Sequence, residues 1–240
     1  GNIAIGYGAY DNADTEGNNM AIGRDALGGS INGGETNIAI GNYSLDANTS
    51  GDLNIGLGYV SLTQNSTGSS NVGIGNSAMQ LNQTGSSNTT IGNNSMKSSL
   101  SSSYNTAVGA EALFDANRTA DTDGYNTALG YNAGNTGTND ITTGNKNTLL
   151  GASTAASAAA GTNQTVIGFG ASGTADNSVT IGNSSVTAWY PGSDDTADLG
   201  SNSVEFKDLY IDGTANLDAV DIDAGAIDGA AIGANSASTG

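Results

Sequence analysis

Three pentapeptides in the middle of the chain set our interpretation of its fold. Residues 71–75 are Asn-Val-Gly-Ile-Gly, residues 88–92 are Asn-Thr-Thr-Ile-Gly, and residues 105–109 are Asn-Thr-Ala-Val-Gly. They follow one another at intervals of 17 residues. A short motif that returns at a steady period is typical of a repeat protein, in which each copy is one structural unit.

Further copies extend on both sides, and the last Gly of each serves as its reference. The mean spacing is 17.6 residues over eleven copies, at Gly6, Gly23, Gly41, Gly56, Gly75, Gly92, Gly109, Gly130, Gly151, Gly168 and Gly182. The residue before each Gly is aliphatic: Ile5, Ile22, Ile40, Ile55, Ile74, Ile91, Val108, Leu129, Leu150, Ile167 and Ile181. Four before the Gly stands Asn in eight copies, with Asp52, Gln164 and Ser178 in the other three.

Within each copy, bulky and small residues alternate, which is the period of a short β-strand. Three before each Gly stands an apolar residue or Thr, and the residue between the two bulky positions is usually small, as in Ala4, Ala21, Ala39, Gly73, Thr90, Ala107 and Ala128. We expect the aliphatic row to face the core and the small row to face outward. Asn at one fixed place in each coil can bond its neighbours above and below, so the pattern also predicts an amide ladder.

A second apolar position follows four residues after the Gly, at Tyr10, Leu27, Leu45, Val60, Met79, Met96 and Leu113. We therefore expect two short strands in each repeat, closed by Gly-Ser-Asn-Thr turns. In later copies this position weakens to Gly134, Ala155 and Ser172, and the connections 114–125 and 134–146 lengthen. These longer segments are predicted to be outward loops.

The fold class that fits these features is all-β, a parallel β-solenoid of about eleven coils. Stacked at about 4.8 Å per coil, it would form a rod roughly 48 Å long. The small, uncharged row suits close packing against identical copies around an axis, and so predicts a homo-oligomer with three-fold symmetry.

Composition excludes several classes of function. The chain has no His and no Cys, which removes Ser-His-Asp and Cys-His nucleophiles, His/Cys zinc sites and disulfides. Five basic against 23 acidic residues give a net charge of −18, the wrong sign for nucleic acid or anionic lipid. No apolar run is long enough for membrane insertion, and the start lacks an initiator Met and a signal-peptide pattern, which suggests a fragment or a processed piece.

Two segments of the repeat carry a resemblance. Residues 177–182, Asn-Ser-Val-Thr-Ile-Gly, resemble the head repeat of trimeric autotransporter adhesins, and residues 126–133, Asn-Thr-Ala-Leu-Gly-Tyr-Asn-Ala, are similar to repeats of bacteriophage tail fibres. The resemblance covers residues 1–186 and implies a left-handed, trimeric parallel β-roll. The mean period is longer than the 14-residue coil of the adhesin heads.

The pattern ends after Val186, so we divide the chain into a repeat domain (1–186), a neck (187–213) and a shaft-like segment (214–240). Residues 198–211 resemble a segment near the end of tail-fibre repeat regions. From 217 onward, Ile or Leu returns every five residues, at Leu217, Ile222, Ile227 and Ile232. Residues 227–234 are similar to thin trimeric shafts of phage structural proteins, and a right-handed pentapeptide coil is the alternative.

Candidate chemistry is sparse. Paired carboxylates could cleave polysaccharide, as Asp11 with Asp14 and Glu16 or as Glu111 with Asp115, but acidic residues in turns are usually solvated. The acidic stretches 121–124 and 221–223 could hold Ca²⁺, yet neither matches a complete Ca²⁺ loop. Trp189 and Tyr190 could stack on a sugar, although plugging the end of a core is the favoured interpretation. We therefore expect no catalytic residues, cofactor or metal.

The sequence favours a structural and adhesive fibre segment, a homotrimeric part of a phage tail fibre in the virion that projects or forms a host-receptor-binding surface. The alternatives are the head of a bacterial trimeric autotransporter adhesin at the cell surface, and a polysaccharide depolymerase tail spike. The partner would be a cell-surface glycan or protein that is neutral or cationic, or is bridged by Ca²⁺. If this segment binds it, loops 114–125 and 134–146 are the predicted contact; otherwise they decorate a spacer.

Overall fold

The computed structural model describes residues 1–12, 16–30, 32–116 and 124–190, with residues 199, 203, 204, 206–208 and 210–212 beyond them. In this part of the chain there are eleven strands of three residues each and no helix. The strands are β1 (Ile3–Ile5), β2 (Met20–Ile22), β3 (Ile38–Ile40), β4 (Ile55–Leu57), β5 (Val72–Ile74), β6 (Thr89–Ile91), β7 (Thr106–Val108), β8 (Thr127–Leu129), β9 (Thr148–Leu150), β10 (Thr165–Ile167) and β11 (Val179–Ile181).

All eleven strands belong to one parallel sheet, in which they are ordered as in the sequence. Each strand pairs in register with the next, so that Val72 lies beside Thr89 and Ile74 beside Ile91. Parallel neighbours that are consecutive in the chain require a full turn of backbone between them. Ten such turns, with no helix among the described residues, make a solenoid. The predicted all-β parallel solenoid is confirmed, and we number each coil after its strand.

The prediction of two strands per coil is wrong. After each strand and its Gly, the backbone follows a turn segment, as in residues 76–81 of coil 5. Residues two and four after the Gly have positive φ, for example Ser77 at 55° and Met79 at 49°. A β-strand requires negative φ, so the second apolar position lies in a turn although its side chain enters the core.

The predicted inside and outside of the strands are reversed. The middle residue of each of β2 to β10 is buried: Ala21, Ala39, Gly56, Gly73, Thr90, Ala107, Ala128, Leu149 and Val166. The aliphatic residues on either side are half-buried or exposed, and 58% of Ile5 is accessible. The reason is volume: Leu45, Leu62 and Met79 enter the coil from the turn segments and are fully buried, which leaves room opposite them only for small strand residues.

The fourth copy of the repeat was placed two residues too early. Its strand is Ile55–Leu57, so Gly58, with φ of 140°, takes the position assigned to Gly56. Asn54 then stands where Asp52 was expected, and Leu62 replaces Val60 as the core residue. The spacings on either side become 17 residues each, in place of 15 and 19.

The predicted amide ladder is present and longer than expected. In each coil the Asn side-chain oxygen accepts a hydrogen bond from the backbone N–H of the next Asn, at 3.0 Å from Asn71 N to Asn54 Oδ1 and 3.0 Å from Asn88 N to Asn71 Oδ1. The ladder runs through Asn2, Asn19, Asn37, Asn54, Asn71, Asn88, Asn105, Asn126, Asn147 and Gln164. All of these amides except that of Asn2 are buried, and they pair backbone groups that would otherwise be unsatisfied at the corner.

A shorter ladder lies at the opposite corner, seven residues after the Gly. Asn65 Nδ2 donates to Asn48 Oδ1 at 3.1 Å, and Asn82 Nδ2 donates to Asn65 Oδ1 at 2.6 Å. In the next coil the position is Ser99, which is too short to continue the series. Asn82 Oδ1 and Ser99 Oγ are buried without a hydrogen-bond partner.

The Gly that ends each strand is needed for two reasons. Its φ lies between 86° and 143°, a region that disfavours side chains. A Cβ would also overlap the backbone of the next such Gly: at Gly151 it would lie 2.8 Å from the carbonyl oxygen of Gly168. The predicted fixed phase of this residue therefore has a physical basis.

The chain divides into two compact units, Gly1–Ala188 and Trp189–Gly240. The first contains all the coils described above. In the second, Lys207 Nζ lies 3.6 Å from Asp208 Oδ2, and both side chains are largely exposed. The proposed shaft at 214–240 and six of the fourteen residues of segment 198–211 lie outside the described residues, so those interpretations stay predictions.

Candidate interaction surface

The outer face of the sheet carries a long apolar surface, which we call the outer stripe. It is two side chains wide, because each three-residue strand points its first and last residues outward. One column consists of Ile3, Met20, Ile38, Ile55, Val72, Thr89, Thr106, Thr127, Thr148, Thr165 and Val179, and the other of Ile5, Ile22, Ile40, Leu57, Ile74, Ile91, Val108, Leu129, Leu150, Ile167 and Ile181. No charged residue interrupts either column.

The outer stripe holds most of the residues singled out from the sequence. The repeat's aliphatic residues are in it, and the glycines that follow them border it. Leu129 and Leu150 are 46% and 42% exposed, although their neighbours above and below are also apolar. Sequence reasoning found these residues but assigned them to the interior of the coil instead of its surface.

The stripe changes character along its length. In coils 1 to 5 the first column is Ile, Met or Val, and in coils 6 to 10 it is Thr without exception. The second column is aliphatic throughout. The surface is therefore fully apolar over its first half and carries a row of hydroxyl groups over most of its second half.

The acidic candidates do not form a catalytic or metal site among the residues that are described. Glu16 Oε1 accepts a hydrogen bond from Gly33 N at 2.7 Å, which gives this carboxylate a structural role, and Asp14 is not among the described residues. Glu111 and Asp115 are both half-buried in coil 7. Within the ranges given above, no group of three or more acidic residues is arranged to hold a metal ion.

One carboxyl group in coil 3 has a shifted pKa. Burial raises the pKa of Asp46, and the negative charges of Asp25 and Asp11 on the two preceding coils raise it further. Loss of the Asp46 proton is therefore less favourable in the folded chain than in water, since it adds a third negative charge to the same region. Three carboxyl groups therefore lie near one another at this corner of coils 1 to 3.

Loop 134–146 is only partly an outward loop. Ile141 is fully buried, and its backbone N–H donates to Gly134 O at 2.9 Å. A Cβ at Gly134 would lie 2.8 Å from Leu113 Cδ2 and 3.8 Å from Ile141 Cδ1. Ile141 therefore returns to fill space beside Gly134, a role that sequence reasoning missed because Ile141 lies in a polar stretch outside the repeat positions.

The other predicted contact regions are covered only in part. Residues 117–123 of loop 114–125 and the acidic stretch 221–223 are outside the described chain. Trp189 and Tyr190 are 76% and 86% exposed and belong to the second unit, so the interpretation that they plug the end of a core stays a prediction. In the part of the chain that the structure covers, no helix is long and apolar enough to cross a membrane.

Comparison with known proteins adds no assignment. No protein-family model matches the sequence, and a search of curated proteins gives no significant match. The interpretation of the site therefore depends on its geometry and on the sequence resemblance.

Proposed function

We propose that the chain is a structural and adhesive segment of a homotrimeric fibre, such as a phage tail fibre, which projects or forms a receptor-contacting surface on a virion or at a cell surface. One observation carries the proposal: the outer stripe is uncharged along all eleven coils, with both columns apolar in coils 1 to 5 and one aliphatic column throughout. Soluble monomers rarely expose apolar surfaces of such extent, and a large exposed patch marks a surface for association.

The same stripe on other copies of this chain is the occupant that fits best. Three rods placed around an axis would direct two outer-stripe residues per chain and per coil toward the centre. The outer stripe of every copy would then be covered, and no copy would be left with a free stripe. A different partner would need an equally long apolar surface to cover the whole stripe. An identical chain supplies one.

The change along the stripe favours a parallel arrangement in register. When the chains run in the same direction, Ile38 lies against Ile38 and Thr127 against Thr127 of the other copies. Aliphatic layers then pack on aliphatic layers, and Thr layers pack on Thr layers. In an antiparallel arrangement the Thr hydroxyls would be buried against aliphatic residues, which costs free energy when they lack partners.

The test is the Ile74→Asp variant of the full chain, with Asn76→Asp as its matched control. Ile74 is in the outer stripe, whereas Asn76 is exposed just past Gly75, so the two changes place a carboxylate two residues apart. A charge buried between chains costs several kcal/mol, and we expect Ile74→Asp to prevent trimer formation while Asn76→Asp leaves it intact. Analytical ultracentrifugation measures the outcome.

The unmodified chain is expected to sediment as three copies. If it sediments as a single copy, or if Ile74→Asp still forms trimers, the outer stripe is not the association surface and the proposed fibre is wrong. Circular dichroism of both variants reports whether the coils remain folded when association is lost.

A further inference from the structure

A row of aromatic and basic side chains lies beside the outer stripe in coils 1 to 4. Tyr7, Arg24 and Tyr59 each directly follow the Gly that ends a strand, and Tyr43 follows one residue later. The row covers three coil steps of about 4.8 Å, or about 14 Å. Most other positions of this corner hold Asn, Ser or Ala, so the row is distinct from the surface around it.

Contacts between Arg24, Tyr43 and Tyr59 fix the geometry of this part of the row. The Arg24 guanidinium carbon lies 5.4 Å from the centre of the Tyr43 ring, and the Tyr43 and Tyr59 rings meet edge to face with centroids 6.2 Å apart. Arg24 Nε also donates to Asp25 Oδ2 at 3.1 Å, and the Arg24 backbone N–H donates to Asn42 Oδ1 at 3.0 Å. Side chains held in this way lose little conformational entropy when a ligand binds.

Much of the row is nevertheless open to solvent. Tyr7 is 81% exposed, Tyr59 is 52% exposed, and the Arg24 side chain is 61% exposed. Tyr131 occupies the equivalent position in coil 8 and is 56% exposed. Among the described residues, Tyr131 has no ring contact of the kind that joins Tyr43 and Tyr59, so it serves as an isolated reference.

The charge around the row limits the chemistry of its ligand. Arg24 is the only basic residue in the first 96 positions, and it is engaged by Asp25. Asp25 and Asp11 both lie close enough to Asp46 to act on its carboxyl group, so three acidic residues surround the single basic one and disfavour anionic ligands. A ligand with apolar C–H faces for tyrosine rings and hydroxyl groups for a guanidinium and a carboxylate is a saccharide.

We propose that Tyr7, Arg24, Tyr43 and Tyr59 form a binding platform for an uncharged oligosaccharide. Pyranose rings pack on the exposed Tyr7 and Tyr59 rings, and sugar hydroxyls donate to the Asp25 carboxylate and accept from the Arg24 guanidinium. This inference rests on the proposed receptor-contacting function and names both the site and the ligand class. It moves the predicted contact from loops 114–125 and 134–146 to the first four coils.

The experiment measures binding of the full chain to an array of uncharged oligosaccharides built from glucose, galactose, mannose, rhamnose and N-acetylglucosamine, beside sialylated, sulfated and uronate-containing oligosaccharides. Tyr59→Ala removes one platform ring, and Tyr131→Ala removes the matched isolated ring. We expect the full chain to bind at least one uncharged probe, Tyr59→Ala to weaken that binding about tenfold, and Tyr131→Ala to leave it unchanged.

Equal effects of the two variants, a preference for anionic probes, or no binding to any uncharged probe would overturn the platform. Sedimentation of the same samples separates this result from the trimer proposal. All platform residues belong to one chain, so a monomer that still binds saccharide contradicts the trimer alone, and a trimer that binds none contradicts the platform alone.

Discussion

Coil 4 and coil 8 fill the same space from opposite sides. In coil 4, Leu62 enters from the turn segment, and the strand residue above it is Gly73, where a Cβ would lie 3.1 Å from Leu62 Cγ. In coil 8 the turn position is Gly134 and the strand residue above it is Leu149, whose Cδ1 would lie 3.0 Å from a Cβ on Gly134. The core therefore constrains the summed volume of the pair, and either partner can supply it.

Five further coils follow the same pattern. A large turn residue faces a small strand residue in the pairs Leu27 and Ala39, Leu45 and Gly56, Met96 and Ala107, and Leu113 and Ala128, whereas small Ala155 faces Val166. The weakening of the second apolar position after coil 7 is thus compensated inside the sheet. It does not mark an empty or unfolded section of the rod.

The largest expected loss of stability follows substitution of the Gly that ends the strand, a residue that both halves of the rod share. Gly75 and Gly151 both end a strand with φ near 137°, and both face the backbone of the next coil. Gly75→Ala and Gly151→Ala should each lower the free energy of unfolding by about 4 kcal/mol or more, because backbone cannot move aside as a side chain can. Chemical denaturation measures both, with Gly33→Ala as a control, since Gly33 has positive φ but nothing within 4 Å of its Cβ. A loss at Gly33 equal to that at Gly75 would show that φ, and not the close approach, is limiting.

A smaller change in stability is expected when a large turn residue and a small strand residue exchange their sizes. At Leu27 and Ala39 the neighbouring turn residue is Ala26, as Ala133 is beside Gly134, so a large strand side chain meets no hydroxyl there. Leu27→Ala should cost about 2–5 kcal/mol and Ala39→Leu about 1–3 kcal/mol by overpacking. Combined, they should cost less than the sum by about 0.5–3 kcal/mol, because the double variant reproduces the arrangement of coil 8. Strictly additive losses of unfolding free energy in urea denaturation would show that the core does not constrain the summed volume of the two residues.

The parts of the fold that depend on the spacing of particular residues in the repeat could be predicted from the sequence. Gly and Asn occur at one phase because backbone approach and corner hydrogen bonding require them, so the period and the ladder were predicted. The sequence did not predict which face of the strand points into the coil. Ile74 and Gly73 are both uncharged, and their alternation shows only that they lie on opposite faces of the strand. The interior volume left by Leu62 decides between them, and that is a property of packing.

Two further errors have local causes. Residues 53–58, Leu-Asn-Ile-Gly-Leu-Gly, contain two aliphatic-Gly pairs, and only Asn54 with the 17-residue spacing identifies Gly58 as the correct one. The row of Tyr7, Arg24, Tyr43 and Tyr59 was missed because its members differ in residue type and Tyr43 stands one position later after the Gly than the other three. They become neighbours only when the coils are stacked.

The smallest expected effect is a gain in stability at the end of the second amide ladder. The second amide ladder connects coils 3 to 5 and stops at Ser99, where two buried polar atoms lack partners. Ser99→Asn places an Nδ2 group within reach of Asn82 Oδ1, as Asn82 reaches Asn65, and should raise the free energy of unfolding by about 1 kcal/mol. Ser98→Asn, on the neighbouring half-buried position, is the matched control. No difference between the two variants in thermal melting would mean that the two atoms are already satisfied by water.

The positive-φ residues of the turn segments bear on how the rod assembles in time. The described chain has 25 of them other than Gly, and all fall at three positions of the coil: five residues before, two after and four after the Gly. Their backbone N–H groups bond to adjacent coils, as Ser77 N does to Tyr59 O at 2.9 Å and Leu62 N to Ala78 O at 2.9 Å. A coil by itself would carry the conformational cost of these residues without the bonds that offset it. Folding must therefore begin with a costly nucleus of neighbouring coils and proceed by adding one coil at a time to an existing end, while unfolding begins by fraying at the ends.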